Sequence, residues 1–392
     1  SGEGGRCADT GEQPLHPRKL SSVKEEAHPL GVGGGHMSVE YYLGDAKVLI
    51  EPKSLKRIYV ELSRACNLAC AMCFRHTYED HTQALMDEKT VQKMLQEVVN
   101  SPAEEVIIGG IGEPLMHPLW KDVVKELKNA YKRVTITTNG TLINREAAEF
   151  LVDQRVDEVY ISVESSPLGH NNVENTFAVG DLITELKQRK NKMRPILSAE
   201  VVLTKSSLIE DLELMKELSR HGIRYVLINN LLPTAPELDK EVLYVKDRAS
   251  DLRFKLSSEL YAKVGVEYPE FCIKTERLCR FVERNSLVIA ADGSVCPCYR
   301  FLHDGTERVF GREKALHSHG FGNINEDSLM NIWNSSDYSI FRFKVRYALY
   351  PSCGDCFLRD GCSFLWDDKA DCWGNMPSCG DCLWYRQIIL CP

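Results

Sequence analysis

Cys66, Cys70 and Cys73 fall at C-x3-C-x2-C spacing, directly after a β-branched run at residues 58–62. Three thiolates so spaced can hold three irons of one cube and leave the fourth open. A closed zinc site takes four ligands, and a fully ligated [4Fe–4S] cluster takes four cysteines. The missing ligand points to an iron kept free for a substrate or cofactor. Downstream, Gly109, Gly110 and Gly112 lead into Glu113. Glycines permit close backbone approach, and the carboxylate can receive an ammonium group. Further polar residues stand where strands are expected to end: Thr138 and Asn139, Ser162 and Glu164, then Glu200 and Asn229. Their plain alternative is strand-end capping and turn chemistry.

The chain carries fifteen cysteines, and their distribution says more than their number. Cys7 stands alone, the triplet follows, and nearly two hundred residues then pass before eleven more between Cys272 and Cys391. Disulfide frameworks usually belong to short secreted scaffolds. A catalytic domain with one cluster, followed by a cluster-rich region, produces such a gap. Two C-x2-C pairs, Cys353/Cys356 and Cys379/Cys382, leave zinc open for part of that region.

Short β-branched runs at 58–62, 106–109, 134–138, 156–163, 196–203 and 225–228 alternate with helical patterns at 87–100, 119–131, 145–154, 179–189 and 208–221. This alternation predicts a parallel sheet with helical crossovers, either open or closed into a partial barrel. In both, ligands gather at the carboxyl ends of the strands, where the polar motifs fall. Residues 1–36, rich in Gly, Pro, His and charge, read as a disordered leader or linker before Met37, with a fused peptide as the alternative. Residues 37–56 form an extension offering at most a hairpin, 57–231 the α/β domain, and 232–271 a connector with a charged helix at 238–263. Residues 272–392 form a second domain organised by metal. With 392 residues, 43% hydrophobic, and a net charge of −8, the chain can bury a large core and has no basic excess for nucleic acid. It has no apolar run of membrane-spanning length, so a soluble cytoplasmic protein is expected.

The triplet, with Met72 before its last cysteine, resembles the hallmark of the radical S-adenosylmethionine (radical SAM) superfamily. The resemblance implies an α/β partial (β/α)6 barrel and a [4Fe–4S] cluster on Cys66, Cys70 and Cys73 that binds SAM through its open iron. Reductive cleavage would yield a 5′-deoxyadenosyl radical that takes a hydrogen atom from substrate. It also places Met72, Phe74, Gly109, Gly110, Gly112, Glu113, Thr138, Asn139, Ser162, Glu164, Glu200 and Asn229 about SAM or substrate. Glu113 would bind the methionyl amine. A low-potential donor such as ferredoxin or flavodoxin would supply the electron.

Cys279, Gly293 and Cys298, then Cys353, Cys356 and Cys362, resemble the SPASM domain found behind radical SAM barrels in peptide- and protein-modifying enzymes. That pattern implies two auxiliary [4Fe–4S] clusters. By carry-over the first uses Cys272, Cys279, Cys298 and Cys372; the second uses Cys353, Cys356, Cys362 and one of Cys379, Cys382 or Cys391. Trp366 stands where a cysteine is expected, and Cys372 is taken as its replacement. Trp366, Trp373 and Trp384 are expected to shield clusters. His117, His303, His317 and His319 are read as ordinary loop residues, and the basic run from Lys187 to Arg194 as a solvated helix end.

The resemblance implies a maturase that acts on a ribosomally made peptide or partner protein, forming a crosslink, a thioether or an oxidised centre. Tyr299 replaces the aspartate that follows the matching cysteine in the sulfatase-maturing branch, which disfavours formylglycine formation. The segment 371–392 resembles maturases, or cofactor-modifying proteins, of tungsten-containing aldehyde oxidoreductases. A small-molecule substrate such as a pterin precursor, and a non-catalytic iron–sulfur carrier, are the alternatives.

Overall fold

The computed structural model describes residues 38–392 except 81, 83, 247–250 and 275. The expected leader, with Cys7 and Met37, lies outside the described residues. A hairpin of β1 (Val39–Leu43) and β2 (Ala46–Ile50) comes first. Six parallel strands follow: β3 (Arg57–Glu61), β4 (Glu105–Gly109), β5 (Arg133–Thr138), β6 (Glu158–Ser162), β7 (Ile196–Leu203) and β8 (Ile223–Asn230). Between them run α1 (Glu88–Asn100), α2 (Trp120–Asn129), α3 (Arg145–Asp153), α4 (Val173–Arg189) and α5 (Leu208–Leu218).

Side-chain alternation along the strands explains the two faces of this sheet. Ile58, Val60, Val106, Ile108, Val134, Ile136, Val159, Ile161, Ala199 and Val226 point to the helices and form the main core. That layer is closed by Val91, Met94 and Val98 of α1 and by Val123, Val124 and Leu127 of α2. The residues between them in sequence include Glu61, Thr135, Thr137, Ser162, Ser198, Glu200 and Asn229. The sheet therefore has an aliphatic outside and a polar inside, the pattern of a partial barrel. The Asp87 side chain caps α1 by accepting from the Thr90 N–H at 3.0 Å, a contact worth about 1 kcal/mol.

Two departures from expectation concern the second half. Beyond the six expected strands, β9 (Gly265–Glu267) pairs parallel with β8, and β10 (Ser286–Ile289) pairs parallel with β3. Antiparallel β11 (Val295–Cys296) completes a nine-stranded sheet among the described residues. The cysteine-rich region thus contributes directly to the barrel sheet. The expected helix at 238–263 is instead split. A 3-10 turn at Pro236–Glu241 gives way to an extended segment whose Val245 bridges Cys272, and α6 spans only Leu252–Leu260. The run Val242-Leu243-Tyr244-Val245 favours extended backbone over helix.

The remainder comprises α7 (Arg280–Glu283), the hairpin β12 (Gly305–Val309) and β13 (Arg312–Leu316), α8 (Leu329–Asn334), α9 (Ser336–Arg346) and a string of short turns. Among the described residues, no helix is long and apolar enough to cross a membrane.

Candidate active site

The cysteine triplet occupies the loop leaving β3, at the carboxyl end of the sheet. Its turn is held by the Cys73 N–H donating to the Cys70 carbonyl at 3.0 Å and the Leu68 N–H approaching Cys66 Sγ at 3.5 Å. Arg75 donates to the carbonyls of Arg64 and Leu68, bracing both ends of the loop. Burial, followed by the neighbouring Cys73, pushes the Cys70 thiol to about 11, and burial also raises Cys73. Metal binding releases such protons.

Gly110 and Gly112 make the close approach possible. A Cβ on Gly112 would lie 2.4 Å from the carbonyl oxygens of Ser63 and Ala65. Gly110 has φ +113°, and its Cβ would meet Glu61 Cγ at 2.9 Å. This packing lets the Glu113 N–H donate to the Ala65 carbonyl at 2.7 Å. The Glu113 carboxylate accepts from the Leu115 N–H at 3.0 Å, the Thr138 hydroxyl at 2.8 Å and the Asn139 N–H at 2.8 Å. Burial still outweighs these donors and raises its pKa. Asn139 in turn reaches Asn67 at 3.0 Å and Cys66 Sγ at 3.8 Å.

These groups line one cavity of about 350 Å³, together with Met72, Phe74, Thr138, Ser162, Glu164, Glu200 and Asn229. Glu164 is buried, and its Oε2 has no hydrogen-bond partner. Burial, with the charges of Asp211 and Glu200, holds its carboxyl well above the usual range; burial also raises Glu200. A carboxylate oxygen left unpaired in such surroundings calls for a donor from a ligand. Three thiols with an open position, a Gly-backed carboxylate and this orphan oxygen fit an iron–sulfur cluster with an amino- and hydroxyl-bearing ligand.

Two of the expected contacts are reassigned. Gly109 does not line the cavity: its Cα packs against Thr137, where a Cβ would meet Oγ1 at 2.1 Å. Asn229 borders the cavity, but its side chain is already engaged. It donates to Glu200 at 2.7 Å and to the Leu390 carbonyl at 3.1 Å, and accepts from the Leu390 N–H at 2.7 Å. Sequence reasoning missed Asn172, which donates to the carbonyls of Asn139 and Ser162 and accepts from the Glu164 N–H, joining three strand-end loops. Its signal was an Asn preceding a helix, concealed because that helix was expected to begin at 179. Tyr299, Trp384, Leu390 and Cys391 also line the cavity.

Several C-terminal thiols stand close enough to influence one another. Burial raises Cys279 to about 12 and lifts Cys298 and Cys379 further, and each of the three also senses Cys382. Cys279, Cys298, Cys379 and Cys382 are thus one group of neighbours, with Cys391 also sensing Cys279. Cys372, raised by burial, senses Cys362 and Cys356, and Cys353 senses Cys372. Cys353, Cys356, Cys362 and Cys372 form the other. Cys272 is tied to the connector by its bridge to Val245, and Cys296 is buried in β11. Among the described residues, no three His, Cys, Asp or Glu groups converge as for a single metal ion. Trp366 and Trp373 are 66% and 53% exposed, so they shield little, whereas Trp384 packs on Phe74 with ring centres 6.3 Å apart.

His117, His303 and His317 are engaged within the protein. His117 is buried, bonded to the Met86 carbonyl at 2.8 Å and the Leu119 N–H at 3.1 Å. His303 contacts buried Glu61 at 3.0 Å, and His317 contacts Asp368 at 3.0 Å. The basic run is partly anchored: Lys190 pairs with Asp153 at 2.7 Å, and Lys187 donates to the Pro195 carbonyl.

Residues 60–172 match the model of the radical SAM superfamily, and residues 279–357 match that of the SPASM iron–sulfur cluster-binding domain. Over 350 residues the chain is 41% identical to the tungsten-containing aldehyde ferredoxin oxidoreductase cofactor-modifying protein of Pyrococcus furiosus, covering 86% of this chain and 97% of that one. In fold it is similar to Streptococcus suis SuiB bound to precursor peptide SuiA, with TM-score 0.54, 17% identity and coverage of 80% and 72% of the two chains. It is also similar to anSMEcpe with bound AdoMet and Cp18Cys peptide, with TM-score 0.53, 17% identity and coverage of 85% and 96%. Two family matches in chain order, and a relative aligned along nearly its whole length, establish that this chain belongs to the radical SAM superfamily as an enzyme of the SPASM branch.

Proposed function

We propose that this enzyme is a maturase that modifies a peptide or partner protein by radical chemistry, in connection with a tungsten-containing oxidoreductase. The observation that carries the reading is the single cavity joining the cysteine loop and Glu113 to Tyr299 and residues 389–391 of the C-terminal region. The P. furiosus relative, whose name describes a cofactor-modifying protein of such an oxidoreductase, supports the connection.

In this reading Cys66, Cys70 and Cys73 hold a [4Fe–4S] cluster. With SAM bound, the cluster supplies a 5′-deoxyadenosyl radical for hydrogen abstraction. Glu113 receives the methionyl ammonium, and its three donors from the following loops hold it in place. Thr138, Asn139 and Ser162 line the cofactor's path, and the free oxygen of Glu164 accepts from a hydroxyl or amine. Asn172 locks the loops that carry them, a preorganisation that costs nothing at the moment of reaction. Phe74, Met72, Leu390 and Trp384 exclude water. The thiol groups of residues 279–382 would hold two auxiliary iron–sulfur clusters, which would supply an acceptor for substrate electrons.

The test uses anaerobically reconstituted protein, SAM, dithionite and a deuterated tungsten-containing aldehyde oxidoreductase polypeptide as substrate. Deuterium in 5′-deoxyadenosine together with a mass change on the polypeptide supports the reading. SAM cleavage with no label from the polypeptide, but label from a deuterated pterin precursor, transfers the assignment to a small molecule.

A further inference from the structure

Fourteen cysteines follow the leader, and eleven of them fall in the triplet and the two groups of four. Of the other three, Cys272 bridges Val245 of the connector and Cys296 lies in β11. Cys391 alone among these three lines the cavity.

Its position is fixed from both sides. The residue before it, Leu390, has its N–H and its carbonyl both engaged by the Asn229 amide, at 2.7 and 3.1 Å. The residue after it, Pro392, has its carbonyl oxygen held by the Tyr59 hydroxyl at 2.7 Å and by Arg57 at 3.4 Å. Asn229 is itself fixed by Glu200. Strands β8 and β3, on either side of the barrel interior, therefore clamp the backbone flanking Cys391. Its side chain packs in the small inner cluster that also contains Tyr59, Tyr299 and Cys298. The unpartnered Glu164 Oε2 in the same cavity is an independent sign that a ligand occupies it.

We propose that Cys391 is a catalytic residue that donates a hydrogen atom to a carbon radical formed in this cavity. This deepens the function proposed above and rests on it. An ordinary thiol, with a pKa of about 8.5, is protonated at neutral pH and so carries the hydrogen the reaction needs. The S–H bond breaks homolytically, the hydrogen atom forms a new C–H bond at the radical carbon, and a thiyl radical remains. An S–H bond is weaker than an alkyl C–H bond, so the transfer runs downhill. One electron from a low-potential iron–sulfur or flavin donor, the class that also reduces the triplet's cluster, and one proton from water restore the thiol. Tyr299 is adjacent in sequence to Cys298 and shares the inner cluster with Cys391, which places the thiyl radical beside the first auxiliary group. Returning a hydrogen atom allows inversion at a substrate carbon, or the closing of a bond-forming step without net oxidation.

The test needs no substrate. Full-length reconstituted protein is mixed with SAM and dithionite in deuterium oxide, where the thiol becomes S–D. Deuterium per molecule of 5′-deoxyadenosine is read by mass spectrometry, with iron content measured in parallel. Wild type is expected to give product carrying one deuterium. C391S and C391A are expected to lower the labelled fraction several-fold while keeping full iron. Undiminished label in both variants, or loss of label in Y299F but not in C391S, overturns the proposal. So does loss of one cluster's iron in both Cys391 variants, which would make Cys391 a ligand. Wild type that forms unlabelled 5′-deoxyadenosine defeats only this inference; failure to form it at all defeats the radical reading beneath it.

Discussion

The backbone N–H of Asn139 donates to Glu113 at 2.8 Å, binding the loop after β5 to the carboxylate presented by the loop after β4. Because the same carboxylate also holds Thr138 and Leu115, its removal acts on binding and on stability together. E113A leaves the Asn139 and Leu115 amides and the Thr138 hydroxyl without their acceptor, at a cost of about 1–3 kcal/mol. SAM binding by equilibrium dialysis should weaken by at least tenfold, about 1.4 kcal/mol, and the melting temperature should fall. Unchanged SAM affinity would remove Glu113 from the site.

Gly112 is constrained by backbone on its Cβ side, and backbone cannot swing away as a long side chain can. G112A would place carbon 2.4 Å from two carbonyl oxygens. A loss of about 1–3 kcal/mol is expected from such overpacking, with reduced iron at the triplet. G361A is the control, because nothing lies within 4 Å of its Cβ. Equal melting temperatures for the two variants would refute the argument.

The strand-end placement of these residues is legible in the sequence, and the reasons are local. The triplet, the Gly-Gly-x-Gly-Glu segment and the strand-end polar residues each sit where one β-strand meets its next loop, so period-two alternation places them at the sheet's carboxyl edge. Contacts formed across long sequence separations were not readable. Asn229 looks like a free strand-end amide until Leu390, 161 residues away, occupies it. The grouping of Cys372 with Cys353, and of Cys379 and Cys382 with Cys279, depends on how turns without periodic signal fold back. The splitting of the connector was legible in hindsight, in the Val-Leu-Tyr-Val run that outweighed the charged residues around it.

The thiol sorting gives a direct iron count. C66A/C70A/C73A should abolish SAM cleavage and leave about eight irons in two four-iron clusters. C372A and C382A should each cost one cluster, but different ones by their spectroscopic signatures, while C272A should keep full iron. Loss of about four irons in C272A would restore the carry-over assignment.

Glu164 predicts a pH dependence with a definite sign. Burial, with Asp211 and Glu200, holds its carboxyl well above the ordinary value of 4.5. The folded protein therefore keeps a proton that the unfolded chain has released, and from pH 4.5 upward this group's contribution becomes less favourable until the folded carboxyl ionises. E164Q cannot ionise. Its melting temperature relative to wild type should rise between about pH 5 and about pH 8. A difference that stays constant over that range would mean that Glu164 does not titrate between the folded and unfolded states.

Arg300 offers the sharpest separation of packing from charge. It is 1% exposed, forked onto equally buried Glu307 at 2.6 and 3.1 Å, and it sits two residues beyond Cys298. Lys314 touches the same carboxylate at 3.2 Å and pairs with Asp381 at 2.5 Å. R300M removes one of the two cations and strands part of the Glu307 charge in the interior, which costs about 3–5 kcal/mol. R300M/E307L removes both charges and fills the space with apolar side chains, so it should recover much of that loss. Thermal melts of the two variants, with iron counted on each, decide the matter. If the double variant is no more stable than R300M, the pair is not what holds this region, and its loss acts through the other Arg300 partners, the Ser378 carbonyl next to Cys379 and buried Asp368 at 3.7 Å.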